Sequence, residues 1–163
     1  MIDLKNKSPS GLLKLYTLIL DELRTREIIR SSNAPTGDYA EYLFCNTFKW
    51  EQQGNSNAGY DAISIDGKRY QIKSRRLTGH NPSRQLSFIR KLEKKQFDFL
   101  AGVLFNEDFS IFKAAIIPHE FIQPRSRFSK TTNGWLFKLE DNIWNINRVI
   151  DVTEKLKKFE NSL

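Results

Sequence analysis

Asp61 is followed ten residues later by Gln71, Ile72 and Lys73, with Asp66-Gly67 between them. An Asp-Gly pair between apolar-rich runs signals a tight hairpin turn. The spacing predicts a strand from Tyr60 to Ile65 and a return strand from Lys68 to Ser74. Alternation along the return strand places Arg69, Gln71 and Lys73 on one face, with Tyr70 and Ile72 on the other. A hairpin this tight brings Asp61, Gln71 and Lys73 to one edge of a sheet. An oxygen cluster of that kind, with positions left for water and phosphate, suits Mg²⁺. A lysine beside it can hold a phosphate oxygen or help an attacking water lose its proton.

At these residues the chain resembles the PD-(D/E)xK nuclease superfamily, which includes many restriction endonucleases. The family motif is an acid on one strand and an acid-x-Lys triplet on the next, here Asp61 and then Gln71-Ile72-Lys73. Many members carry a glutamate on an earlier helix, and Glu41 in Gly37-Asp38-Tyr39-Ala40-Glu41 matches it. The resemblance spans about Gly37 to Ile117 and departs from the pattern twice. Gln71 stands where most members have an acid, as in the Gln-x-Lys triplet of Mrr-type enzymes, and Tyr60 replaces the usual Pro. The resemblance implies a single restriction-endonuclease-like α/β domain and a DNA endonuclease of restriction type. Its catalytic set would be Glu41, Asp61, Gln71 and Lys73. Its metal set would be Glu41, Asp61, Gln71 and Ile72, holding Mg²⁺ with Mn²⁺ as a substitute. Symmetric sites in double-stranded DNA would favour a homodimer.

The charge points to the same partner independently. The chain has 163 residues and a formal net charge of +7. Between Lys68 and Lys95 stand ten Lys or Arg and one acid, Glu93, against 16 basic and 18 acidic residues elsewhere. A solvated face would mix both signs. A one-sign run fits a polyanion, because neutralised phosphates release condensed counterions. Arg75, Arg76, Arg84, Arg90 and Lys91 are the candidate DNA contacts, since the arginine fork suits both phosphate oxygens and the guanine edge. Two other readings use the same residues: a DNA-binding protein with a degenerate nuclease site, or a basic module that docks on an acidic protein.

The elements that must position these groups are legible in outline. Apolar residues at helical spacing predict a helix from Ser10 to about Ile29, capped by Ser8 or Ser10, then a break at Ser31–Pro35. A second helix begins at Thr36-Gly37-Asp38, so that helices occupy 10–49. A polar loop follows from Gln52 to Gly59, then the motif hairpin over 60–74 and a basic loop from Arg75 to Ser87. Leu86 to Lys95 reads as a short helix, Phe97 to Phe105 as a buried central strand and Phe109 to Ile117 as its neighbour. A short helix at Pro118–Phe121, a strand at Trp135–Leu139 and a basic amphipathic helix at Val152–Phe159 complete one mixed sheet of about 4–5 strands flanked by helices.

Several chemistries lack their signatures. His80 and His119 stand apart from any Cys, so no zinc set is visible. No phosphate-binding Gly-x-x-x-x-Gly-Lys loop and no Gly-x-Ser-x-Gly elbow occur. The start, Met1-Ile2-Asp3-Leu4-Lys5, lacks a secretion signal. The lone Cys45 falls in an apolar helical pattern and reads as a small core residue, which fits a cytosolic protein.

Overall fold

The computed structural model describes residues 3–54 and 59–163. Positions 55–58 of the expected polar loop therefore lie outside the described residues. The chain forms α1 (Pro9–Thr25), α2 (Thr36–Phe48), β1 (Glu51–Gln52), β2 (Ala62–Ile63) and β3 (Arg69–Arg76). Then follow β4 (Phe99–Phe105), β5 (Ile111–Pro118), β6 (Ser126–Ser129), β7 (Gly134–Phe137), β8 (Ile150–Asp151) and α3 (Thr153–Glu160). One six-stranded sheet runs in the order β1-β2-β3-β4-β5-β8, and β6 and β7 form a separate hairpin. β3 and β4 are parallel, while the other neighbours in the large sheet are antiparallel. The fold is α/β with a mixed sheet.

Sequence chemistry accounts for the main elements. Ser8 Oγ accepts a hydrogen bond from the Gly11 N–H at 3.1 Å, and Pro9 sits in the first turn, where its missing N–H costs nothing. The helix stops at Thr25 rather than at Ile29, because Glu27 takes a left-handed φ of 58°. That turn sends Ile29 into the core at 2% exposure. The Asp66-Gly67 turn forms where expected. Gly67 has φ 80° and its N–H bonds to the Ser64 carbonyl at 2.8 Å, a conformation that glycine adopts at little cost.

Two apolar layers flank the sheet. On one side Leu43 and Phe44 of α2 and Leu156 of α3 pack against Ile72, Ala101, Val103 and Ile116. On the other side Leu86, Ile89 and Leu92 pack against Leu100, Leu104, Ile117, Phe137 and Leu139. β4 reads as a continuous apolar run because both of its faces are covered. Gly102 keeps this second layer close. A Cβ there would lie 3.1 Å from a Leu139 methyl and 3.4 Å from one of Leu86.

The second layer corrects the expected architecture, since α-helices cover one face only and short 3-10 turns contribute to the other. The segment expected as a helix over Leu86–Lys95 is not helical through Arg90, and it joins β7 by bonds from Leu86 N–H to the Phe137 carbonyl and between Ile89 and Trp135 in both directions. Only Leu92–Lys94 makes a single 3-10 turn. β3 continues through Arg75 and Arg76, which were expected in a loop. The sheet has six strands rather than 4–5 because β1 and β8, each two residues long, add to its edges.

Candidate metal and phosphate site

β2 stops after two residues while β3 runs for eight, so one edge of β3 loses its partner strand from Ile72 onward. Asp61 stands at that break. Its N–H bonds to the Tyr70 carbonyl at 2.8 Å, and its side chain takes the place the next strand residue would fill. The Ile72 N–H donates to Asp61 Oδ2 at 2.6 Å, and the Gln71 amide nitrogen donates to the same oxygen. Oδ1 has no hydrogen-bond partner among the described residues. An extended residue points its N–H and C=O to the same edge of the strand. The Ile72 carbonyl therefore faces the side on which Asp61 lies.

Glu41 arrives from the helical face. Its Oε2 accepts hydrogen bonds from Arg30 at 2.6 Å and from Gln52 at 2.8 Å. Neither partner was anticipated from the sequence. Arg30 is set in place by Asp38 in the first turn of α2, whose Oδ2 accepts the Arg30 N–H at 2.8 Å and the Ser31 N–H at 2.6 Å. The Arg30 guanidinium also reaches the Gln53 carbonyl at 3.0 Å, so it ties the interhelical turn to the strand side.

Burial dominates the electrostatics of both carboxylates. Burial pushes the Asp61 carboxyl above its usual range, although the Ile72 N–H, Lys73 and Gln71 each oppose the shift. Burial also raises Glu41. The Gln52 bond and Arg30 counter it, and the nearby Asp61 charge adds to it. Asp38 behaves oppositely. Burial pulls it up, but the bonds from Ser31 and Arg30 prevail and hold it low. Cys45 is buried, with its thiol pushed up to about 12 by burial first and by Glu41 next, and belongs to the core as expected.

Gln71 and Lys73 line a depression of about 510 Å³ on the face opposite α2, and Ser87, Phe88, Arg90 and Lys91 form part of its wall. The sequence-predicted cations divide around it. Arg90 and Lys91 line the depression itself. Arg75 shares the Gln71–Lys73 face by alternation. Arg76 points to the opposite face, its guanidinium 4.7 Å from the Phe109 ring centroid. Arg84 is ion-paired to Asp141 at 2.8 Å and lies 5.2 Å from the Phe112 ring centroid.

For Mg²⁺ the donors fit in kind: two carboxylates, a main-chain carbonyl and an amide oxygen, with no nitrogen or sulfur ligand. Mg²⁺ is commonly held by one or two carboxylates with water and phosphate completing the shell. Among the described residues no group of three or more His, Cys, Asp or Glu is placed to hold a metal ion, so the acid count rests at two. No helix among these residues is long and apolar enough to cross a membrane. Compared with protein-family models and with curated proteins, the chain matches none.

Proposed function

We propose that this protein is a Mg²⁺-dependent DNA endonuclease of restriction type that hydrolyses phosphodiester bonds in double-stranded DNA, acting as a homodimer on symmetric sites. The observation that carries the reading is the convergence of Asp61, Gln71 and Lys73 where β2 ends and β3 runs on, beside a depression walled by Arg90 and Lys91.

Glu41, Asp61, Gln71 and the Ile72 carbonyl would hold Mg²⁺, with Mn²⁺ as a substitute. When bound, the cation supplies charge neutralisation at the scissile phosphate. The remaining work falls to side chains. Lys73 donates to a phosphate oxygen, offsetting negative charge that builds there during attack. Its positive charge also favours the ionised form of Asp61. Gln71 and the Ile72 N–H fix the Asp61 carboxylate by holding Oδ2, so that Oδ1 stays open to the site. Arg90 and Lys91 neutralise phosphates flanking the scissile bond.

A second reading has its own support. Glu41 is already neutralised by Arg30, and Gln71 carries no charge where most members of the resembled family have an acid. Both features suit a DNA-binding protein that has lost its metal. Incubation with supercoiled plasmid and linear duplex, in Mg²⁺ and then in chelator, separates the two. Metal-dependent cleavage that disappears in Asp61→Ala and Lys73→Ala supports the nuclease. A gel shift without cleavage supports the binder.

A further inference from the structure

A second depression, of about 740 Å³, adjoins the first and shares Arg90 and Lys91 as part of its wall. Its far side is the β6–β7 hairpin, which presents Phe128 and Trp135. The two rings meet nearly edge to face, with centroids 5.4 Å apart and planes at 63°. This edge-to-face packed pair forms one corner of the depression, which both residues line. Phe128 is 45% exposed and lines the depression, which leaves part of its ring open to a ligand. The indole N–H of Trp135 reaches Glu93 Oε2 at 3.4 Å, which fixes the ring and brings a carboxylate to the rim.

Two details show that the corner is built. Gly134 carries no side chain where a Cβ would lie 3.1 Å from the Phe88 Cβ, so the hairpin can close on the 88–91 segment. Thr132, in the hairpin turn, has a buried hydroxyl without a hydrogen-bond partner, and the residue lines the same depression. The site thus combines an exposed and a half-buried aromatic ring, a carboxylate and two cations free of any ion pair among the described residues. An apolar peptide would leave the cations unmatched, and an acidic peptide would make little use of the rings.

We propose that this corner takes a single nucleobase displaced from the duplex stack, with the adjoining phosphate on Arg90 and Lys91. The base stacks on Phe128 or Trp135, as any base can because each has a π face. Glu93 offers an acceptor to an exocyclic amino group at the base edge. The chain continues across the shared cations to Lys73. The favoured substrate is then DNA carrying an unpaired or easily extruded nucleotide, for which unstacking costs least. This inference rests on the DNA reading above and deepens it.

The test uses fluorescence anisotropy of the full chain, with metal chelated, on three short duplexes: fully paired, with one bulged base, and with an abasic nucleotide at the bulge. The bulged duplex is expected to bind about tenfold more tightly than the other two. Its binding should also quench tryptophan fluorescence. Phe128→Ala is expected to remove the preference without changing affinity for the paired duplex, and Phe128→Tyr to restore it. Equal affinity for all three duplexes, or a preference that survives Phe128→Ala, overturns the inference while leaving the nuclease reading standing. Failure to bind any of them, both in chelator and with Ca²⁺ in place of Mg²⁺, overturns both.

Discussion

Arg69, Arg76 and Arg84 come from the same basic stretch as Lys73, Arg90 and Lys91, yet the two sets occupy opposite surroundings. Arg69 is held by Asp98 through bonds of 3.2 and 3.1 Å. Arg84 shares Asp141 with Lys113, and Arg76 lies over an aromatic ring. Lys73, Arg90 and Lys91 have no ion pair among the described residues and line one depression. Counting charge along the chain treats the sets alike. Folding pairs Arg69 and Arg84 with acids that lie outside the stretch, Asp98 and Asp141, lays Arg76 over the Phe109 ring, and leaves the second set to shape the local field. The teaching is that the position of the +9 excess is more informative than its size.

The sharpest way to break this contrast is through cleavage. Lys73→Ala should lower the rate by at least about 10²-fold, the loss typical of a group acting on developing charge. Arg84→Ala should cleave like the wild type. A Lys73→Ala variant with normal activity would mean that the free set is not functional.

A pH profile comes next. Asp61 and Glu41 must be ionised to hold a cation, and burial raises both. Cleavage should therefore fail on the acid side at a pH above the ordinary carboxylate range. Stability runs the other way. A carboxyl whose folded pKa is raised contributes stability that is present below its unfolded pKa and lost as pH rises through the folded value. Asp61→Asn should accordingly gain stability over the wild type in denaturant titrations at neutral pH and lose that advantage on acidification. Asp38, held low, contributes stability that is present at neutral pH and lost in acid.

Gln71→Glu adds a third, smaller effect. It restores a charge beside Asp61, so Mg²⁺ should bind more tightly by isothermal titration, and Ca²⁺ likewise. Unchanged affinity would place Gln71 outside the cation's surroundings.

The same contrast explains what could be read in advance. The motif hairpin was legible because an Asp-Gly turn and two-residue alternation are local signals, and α2 and β4 because their apolar patterns are long. The segment 84–91 was not. Leu86, Ile89 and Leu92 recur at a spacing of three and imitate a helix, but Leu86 and Ile89 bond instead to Phe137 and Trp135 of β7, distant in sequence. Arg30 went unnoticed for a related reason: its partner Glu41 is eleven residues off and reached only through the turn that Asp38 pins. β1 and β8, at two residues each, are too short to show alternation. The corner of Phe128 and Trp135 leaves little trace in the sequence, because large aromatic residues are far more often core than ligand walls.

The smallest expected effect discriminates best between the two sets of cations. If the free set tracks the DNA backbone, log K should fall linearly with log salt, with a slope of about −0.9 per phosphate neutralised. Arg90→Gln and Lys91→Gln should each flatten that slope by about one unit, uniformly across sequences. Arg84→Gln should leave it unchanged, because its guanidinium is committed to Asp141 and to the Phe112 ring. Its cost should instead be a small fall in Tm, since an ion pair with an exposed carboxylate contributes little. Arg75→Gln belongs with Arg90→Gln and Lys91→Gln. It shares the face of Lys73 by alternation and has no ion pair among the described residues, so it should join the free set. Anisotropy with Ca²⁺ in place of Mg²⁺ holds the complex before cleavage and gives the slopes directly. A slope change in Arg84→Gln as large as that in Arg90→Gln would erase the distinction, because it would show that an arginine with an internal partner exchanges it for phosphate when DNA arrives.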